Sequence, residues 1–348
     1  MEGWSMNKNK NEEIRKDEGV VEEPQVEEVA KKEKKAKKRG SLGIILSLIV
    51  LSAIISILSP RFLTVANLTN VLSQATVSAI ISVGEFLAIL TAGIDLSIGS
   101  ILAISIMMLG IFAVNMQMNP ILAIMLALAV GTLIGLFNGI LLTKLRLPHP
   151  FISTMGTKMI ARGLALAVTA AQPISGFATS IQFLGSRSIG PVPASVILVG
   201  IVYAIMFIFM TRTSTGRHIY AVGGNVEASR LSGINVHNVL LIVYALSGFF
   251  AALAGLLLVG RVNAAYPLAG TDYETDAIAA VIIGGASFAG GVGKILNTII
   301  GVLIIAVLRN GLNLLNVDSA FQTVAIGVVI ILAVYLDVIR QKSAPIHK

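Results

Sequence analysis

The sequence predicts an all-α fold: a polytopic transmembrane bundle of about ten crossings, with both termini in the cytoplasm. Three observations predict it. The chain has 348 residues, 55% of them apolar and only 13% charged. With a mean hydropathy of +0.86 it lacks the polar residues to cover a water-facing surface, so its solvent is largely lipid. Apolar stretches near bilayer length recur from Gly43 to Val338. Basic residues gather in alternate connections between those stretches, as the positive-inside rule requires.

The chain begins with a charged segment. Residues 1–40 are almost wholly polar and end on the run Lys31-Lys32-Glu33-Lys34-Lys35-Ala36-Lys37-Lys38-Arg39. They read as a disordered cytoplasmic tail beside anionic lipid headgroups. The net charge of +8 therefore marks a membrane side and implies no nucleic-acid partner. Residues 41–340 form the membrane domain, and 341–348 form a second, short cytoplasmic tail.

The predicted spans are Gly43–Ser59, Ala75–Ala92, Gly99–Asn115, Pro120–Thr143, Phe151–Ala170, Val192–Thr211, Val239–Gly260, Ala277–Ala289, Ile295–Leu315 and Ala320–Val338. Two are irregular: Phe151–Ala170 carries Lys158 and Arg162, and Ala277–Ala289 is short for a regular crossing. With the basic tail inside, Lys144, Arg146, Arg212, Arg217, Arg230 and Lys294 fall inside, while Asp272, Glu274, Asp276 and Asp318 fall outside. Arg61, Arg187 and Arg261 go against the trend. Gly131, Gly135 and Gly139 share one helical face, the pattern of close helix packing in lipid.

Several chemistries are excluded or unsupported. There is no cysteine, which removes disulfides, thiolate metal sites and cysteine catalysis. The four histidines have no partner at helical spacing, so no metal is expected. The glycine-rich stretch Gly284–Lys294 fails the phosphate-loop pattern, since Phe288 stands at its first glycine position and Ile295 follows Lys294. No nucleotide or other cofactor is expected, and no catalytic constellation is present, so the chain reads as a non-enzyme.

Four places remain. Gly93-Ile94-Asp95-Leu96-Ser97-Ile98-Gly99-Ser100 joins two spans, either as a break lining a path or as a turn capped by Asp95 or Ser97. Gly284–Lys294 reads as a compact turn. Thr211–Asn238 is the longest cytoplasmic connection, with apolar residues that call for internal packing or a docked partner. Glu85, Lys158, Arg162 and Arg309 are ionisable groups within spans, which makes each a functional candidate. Lys158 and Arg162 share a face and are expected to snorkel to the inner surface, and Glu85 stands out as the deep carboxylate.

At these residues the sequence resembles the permease subunits of ribose-type bacterial ABC sugar importers. The resemblance runs from Phe62 to Asp337. It is carried by Leu90-Thr91-Ala92-Gly93-Ile94-Asp95-Leu96-Ser97-Ile98-Gly99-Ser100, by Pro150–Thr157, by Ala161-Arg162-Gly163, by Gly216–Asn225 with Ala228, Arg230 and Leu231, by Gly284–Ser287 with Gly290-Gly291, and by Arg309–Leu314. It implies a second permease chain (a homodimer or a pair), a cytoplasmic ATP-binding subunit that hydrolyses the ATP, and an extracytoplasmic sugar-binding protein, all at the cell membrane. Ala279-Ala280 with Gly284 is similar to a coupling pattern of such permeases, although Ile278 stands where an acid is usual.

On that resemblance, a neutral polyol needs hydroxyl and amide partners, and Asn70, Gln74, Ser97, Asn138, Asn310 and Asn313 are the expected path-lining residues. Arg217, Gly223, Gly224, Arg230, Gly284, Gly285, Gly290, Gly291 and Lys294 are the expected ATPase-coupling residues. The competing class is an ion-coupled secondary transporter of a small polar solute, which needs an acid–base pair at mid-membrane.

Overall fold

The structure, a computed structural model, describes residues 42–342 apart from 146 and 191. The tail assigned to 1–40 and positions 343–348 lie outside the described residues. Helices dominate, in the order α1 (Leu42–Leu58), α2 (Val65–Leu90), α3 (Ile98–Gly110), α4 (Pro120–Thr143), α5 (Pro150–Ala167), α6 (Thr179–Ser186), α7 (Ala194–Arg212), α8 (Ser214–Gly224), α9 (Val226–Leu231), α10 (Val236–Val262), α11 (Tyr273–Ile283), α12 (Ile295–Leu314) and α13 (Ser319–Lys342). The strands are two-residue pieces. β1 (Ile174–Ser175) pairs antiparallel with β4 (Ala264–Ala265), and β2 (Ser188–Ile189) pairs antiparallel with β3 (Val192–Pro193).

Local chemistry sets the helix ends. Thr64 caps α2 by accepting from Asn67 N, and Asn119 caps α4 by accepting from Ile121 N at 2.9 Å. Pro120 and Pro150 open α4 and α5, where a missing N–H costs nothing. Asn263, left-handed at φ 53°, closes α10. Helix α3 runs on into a single π-helical turn, Ile111–Asn115.

Seven of the described helices are long and apolar enough to cross a membrane: α2, α3 with its π turn, α4, α7, α10, α12 and α13. Each of the ten predicted stretches contains a helix, though boundaries differ. Helix α2 begins at Val65 rather than Ala75, and α11 occupies Tyr273–Ile283 rather than Ala277–Ala289. Helix α11 has only 11 residues, about half of what a regular crossing takes.

The apolar pattern is that of a membrane protein. Ile121, Met125, Leu133 and Phe137 on α4, Ile201, Ile205 and Ile208 on α7, and Val324, Val328 and Ile331 on α13 are all exposed. In water such a surface would aggregate; in lipid it is the solvated face. Helices α2, α3 and α10 hold the core, with Val83, Phe86, Leu87, Leu102, Val243 and Val259 fully enclosed.

Close approach of backbones organises the largest helix contact, between α4 and α10. A Cβ on Gly135 would fall 2.1 Å from Tyr244 O, and one on Gly248 would fall 2.1 Å from Gly131 O. Gly139 meets Leu241 on the same line. The expected glycine face is thus a packing face. Dispersion between abutting backbones holds it, because lipid supplies no hydrophobic drive between helices.

Two partly buried stretches of non-helical backbone lie among these helices. Thr91–Ser97 links α2 to α3, and residues 266–272 link β4 to α11. Irregular backbone at membrane depth is tolerated only inside protein or along a cavity, and these two stretches position the candidate site.

Candidate functional site

A cavity of about 530 Å³ opens between α2, α11, α12 and α13, with Arg261 of α10 on its rim. Its polar wall includes Gln74, Tyr273, Thr275, Asp276, Arg309 and Asn313. Asp276 is buried, and both its oxygens accept from Arg309 Nη2, at 2.7 and 2.9 Å. Gln74 donates to Asn70 at 2.9 Å, and Gln322 donates to Asn313 at 2.8 Å. Among the described residues, Arg309 Nε and Arg261 Nη1 are buried without a hydrogen-bond partner.

Beside the cavity, helix α5 clamps the 266–276 segment. Arg162 Nη1 donates to Pro267 O at 2.6 Å and to Ala269 O at 2.8 Å. Lys158 pairs with the buried Glu274. Both side chains were expected to snorkel to the inner surface; they turn inward because a carboxylate and two open carbonyls stand there. The segment also packs on α3, where a Cβ on Gly99 would fall 2.2 Å from Gly270 O.

A second polar cluster is fully enclosed. Asp95 Oδ1 accepts from Ser97 N at 3.0 Å and from Ser97 Oγ, and its Oδ2 accepts from Ser247 Oγ at 2.7 Å. Asn138 Nδ2 donates to Ser97 Oγ at 2.9 Å. Asp95 N faces Glu85 Oε1 at 3.4 Å, and Thr154 Oγ1 donates to Ile94 O at 3.1 Å. Glu85, Asp95, Ser97, Asn138 and Ser247 have no exposed surface. The break between α2 and α3 is therefore held by side chains from α2, α4, α5 and α10. Ser97 makes no side-chain cap bond to α3; Asp95 organises the turn.

The expected path-lining residues separate into three places. Gln74 and Asn313 line the cavity, and Asn70 touches it through Gln74. Asn310 pairs reciprocally with Asn67, at 2.9 and 3.0 Å, joining α12 to α2. Ser97 and Asn138 belong to the enclosed cluster instead. The reading of Glu85 as the deep carboxylate is corrected: Asp95, Glu274 and Asp276 are buried as well. Tyr273, Asp276, Arg261 and Glu274 were not singled out as site residues. The acid run Asp272–Asp276 signals them, but hydropathy alone assigns it to an exterior loop.

The expected coupling residues form a surface with a packed base. Arg217, Gly224, Arg230 and Lys294 are exposed, as are Val226, Leu231 and Val292. Arg230 carries an ion pair with Glu227 at 2.6 Å, which raises the affinity of its guanidinium for its proton. Gly223 and Gly290 are buried beneath. Gly291 N donates to Leu90 O at 2.9 Å, and a Cβ on Gly223 would fall 1.6 Å from that same oxygen. Gly284 packs on Asn297, while Gly285 is half-buried with φ +87°. Tyr220 Oη donates to Gly293 O at 2.9 Å, tying α8 to the glycine turn. Helix α8 therefore packs directly on Leu90, the last residue of α2.

Comparison with known proteins gives the context of this arrangement. A family model described as "Branched-chain amino acid transport system / permease component" matches residues 67–334. The ribose import permease protein RbsC of Escherichia coli (strain K12) is 46% identical over 300 residues, covering 84% of this chain and 92% of its own. The D-allose transport system permease protein AlsC of the same organism is 44% identical over 301 residues, covering 85% and 90%. Its galactose/methyl galactoside import permease protein MglC is 37% identical over 316 residues, covering 86% and 94%. No solved structure gives a significant match. The chain is a multi-pass protein of the cell membrane, and it belongs to the permease components of ABC importers, among the ribose-type sugar permeases.

Proposed function

We propose that the chain forms the membrane path of an importer for a simple, ribose-type sugar. An extracytoplasmic binding protein delivers the sugar, a second permease chain completes the path, and a separate ATPase subunit supplies the energy. The observation that carries this reading is the 46% identity to a ribose import permease along 92% of that protein's length. In this reading α1, α5 and α11 join the seven long helices to give ten crossings, with both termini cytoplasmic. The cavity at Gln74, Asp276 and Asn313 then opens toward the outside, and α8, α9 and the Gly284–Lys294 turn face the cytoplasm.

The ATPase docks on the exposed part of α8 and α9. Leu231 is 78% exposed at the end of α9, beyond the apolar bundle and flanked by Arg230, which suits an apolar pocket on a partner. ATP binding shifts the pair of permeases between outward- and inward-facing states only as far as the ATPase prefers one over the other. An ion-coupled carrier is the competing reading, favoured by the enclosed carboxylates Glu85 and Asp95; family membership weighs against it.

Co-purification tests the docking assignment. Leu231→Asp is expected to lose the ATPase subunit while the permease keeps its membrane abundance, because Leu231 packs on little of its own chain. Retention of the ATPase at wild-type stoichiometry would remove α9 from the docking surface.

A further inference from the structure

Residues 266–272 run as a chain of short turns. Ala269 N donates to Tyr266 O at 3.0 Å, Thr271 N to Leu268 O at 3.4 Å and Tyr273 N to Gly270 O at 3.2 Å. These turns use the carbonyls at 266, 268 and 270 and pass over those at 267 and 269. Pro267 and Ala269 are buried, and a buried carbonyl at membrane depth needs a donor. Arg162 Nη1 serves both, at 2.6 and 2.8 Å. One guanidinium nitrogen from another helix thus completes the hydrogen bonding that the turns themselves omit.

The turns lead into α11, whose two ends are held differently. Near its C-terminal end backbone meets backbone: a Cβ on Gly301 of α12 would fall 1.9 Å from Ala280 O, and one on Gly284, just past α11, would fall 2.9 Å from Asn297 O. Its first turn is held by side chains instead, Glu274 by Lys158 and Asp276 by Arg309. Lys158 and Arg162 stand four residues apart on one face of α5, and α5 itself packs on α3 and α4. Neither side chain lines the cavity. Thr271, Asp272, Tyr273, Thr275 and Asp276, in or beside the segment they hold, all do.

We propose that Arg162, with Lys158 beside it, is a positioning residue of the translocation path: from α5 it fixes where residues 266–276 stand, and through them the cavity wall at Tyr273, Thr275 and Asp276. This rests on the sugar-import reading and adds to it a part of the chain that acts on the path from outside the cavity. Without Arg162 the turns lose the two bonds that tie them to α5, and the wall is free to take several positions. The packing of α11 on Gly301 does not involve α5, so the loosening stays at the start of α11 and in the turns before it.

Hydrogen–deuterium exchange on the full chain in lipid nanodiscs reads the positioning directly. Arg162→Met is expected to speed exchange at the amides of Ala269, Thr271 and Tyr273 by about tenfold, the effect of losing charge-assisted hydrogen bonds, with α3 and α12 unchanged. Arg162→Lys keeps a charged donor and is expected to fall between wild type and Arg162→Met, which also carries the test if Arg162→Met fails to fold. In proteoliposomes holding the complete transporter, the sugar moved per ATP hydrolysed is expected to fall several-fold in Arg162→Met and to recover in part in Arg162→Lys. A mere loss of folded protein lowers both quantities together and leaves their ratio alone. Unchanged exchange at these amides in the folded variants, exchange that rises equally along the chain, or an unaltered ratio overturns the proposal. A wild-type transporter that moves no sugar removes the import reading, and the exchange comparison, made on the permease by itself, still decides whether Arg162 places the wall.

Discussion

Arg309 on α12 reaches Asp276 on α11 and gives each carboxylate oxygen a hydrogen bond from Nη2, at 2.7 and 2.9 Å. The pair joins the 11-residue helix α11 to the 20-residue α12 at the wall of the cavity. A guanidinium facing hydrocarbon would be costly; here its partner is 7% exposed and the pair borders a cavity.

Arg309→Leu therefore strands a buried carboxylate. The expected loss is on the order of 2 kcal/mol, below the range for fully buried pairs because the Arg309 side chain is 38% exposed. It is read as reduced membrane abundance and a lower unfolding temperature in detergent. Arg309→Leu combined with Asp276→Leu should recover part of the loss. Equal abundance in the wild type and the single variant would show that the pair stabilises nothing.

Gly223 and Gly224 are neighbours with opposite surroundings. A Cβ on Gly223 meets Leu90 O at 1.6 Å, and one on Gly224 meets nothing within 4 Å. Gly223→Ala forces α8 away from Leu90 and should cost about 1–3 kcal/mol or more. Gly224→Ala should be neutral or slightly stabilising. Thermal unfolding of the two variants side by side measures the contrast, and equal midpoints would contradict the packing described.

Topology is open to a direct labelling test because the native chain has no cysteine. Ser188 in the β2–β3 hairpin and Ser232 after α9 are both exposed. With both termini inside, Ser188→Cys should react with an impermeant maleimide on intact cells, and Ser232→Cys should react only after permeabilisation. The reverse pattern would invert the chain in the membrane.

The helical layout was legible because lipid solvation writes itself as apolar runs, and the ten runs each hold a helix. The start of α2 was missed because Asn67, Asn70 and Gln74 make its first turns polar. Those residues are tolerated by pairing within the protein, Asn67 with Asn310 across 243 positions, and no local window contains that partner. Lys158 and Arg162 were misjudged for the same reason: Glu274 and the carbonyls of Pro267 and Ala269 lie more than 100 positions away. Glycines at 131, 135 and 139 announced close approach, and only the fold shows which backbone approaches; Gly223 and Gly291, expected at the coupling surface, also meet backbone of their own chain. Of the site, the amides Gln74 and Asn313 were readable as polar groups in apolar context. Asp276 was hidden in an acid run that hydropathy places outside.

The central claim is that this chain imports sugar on energy supplied by an ATPase partner. The most direct measurement is radiolabelled D-ribose uptake into proteoliposomes holding the permease, its ATPase subunit and its binding protein, with ATP inside the vesicles. Uptake should require ATP and binding protein and should persist with a protonophore present. Uptake that continues without ATP, or that collapses with the protonophore while ATP remains, would contradict it and turn attention to Glu85 and Asp95 as the groups of an ion-coupled carrier.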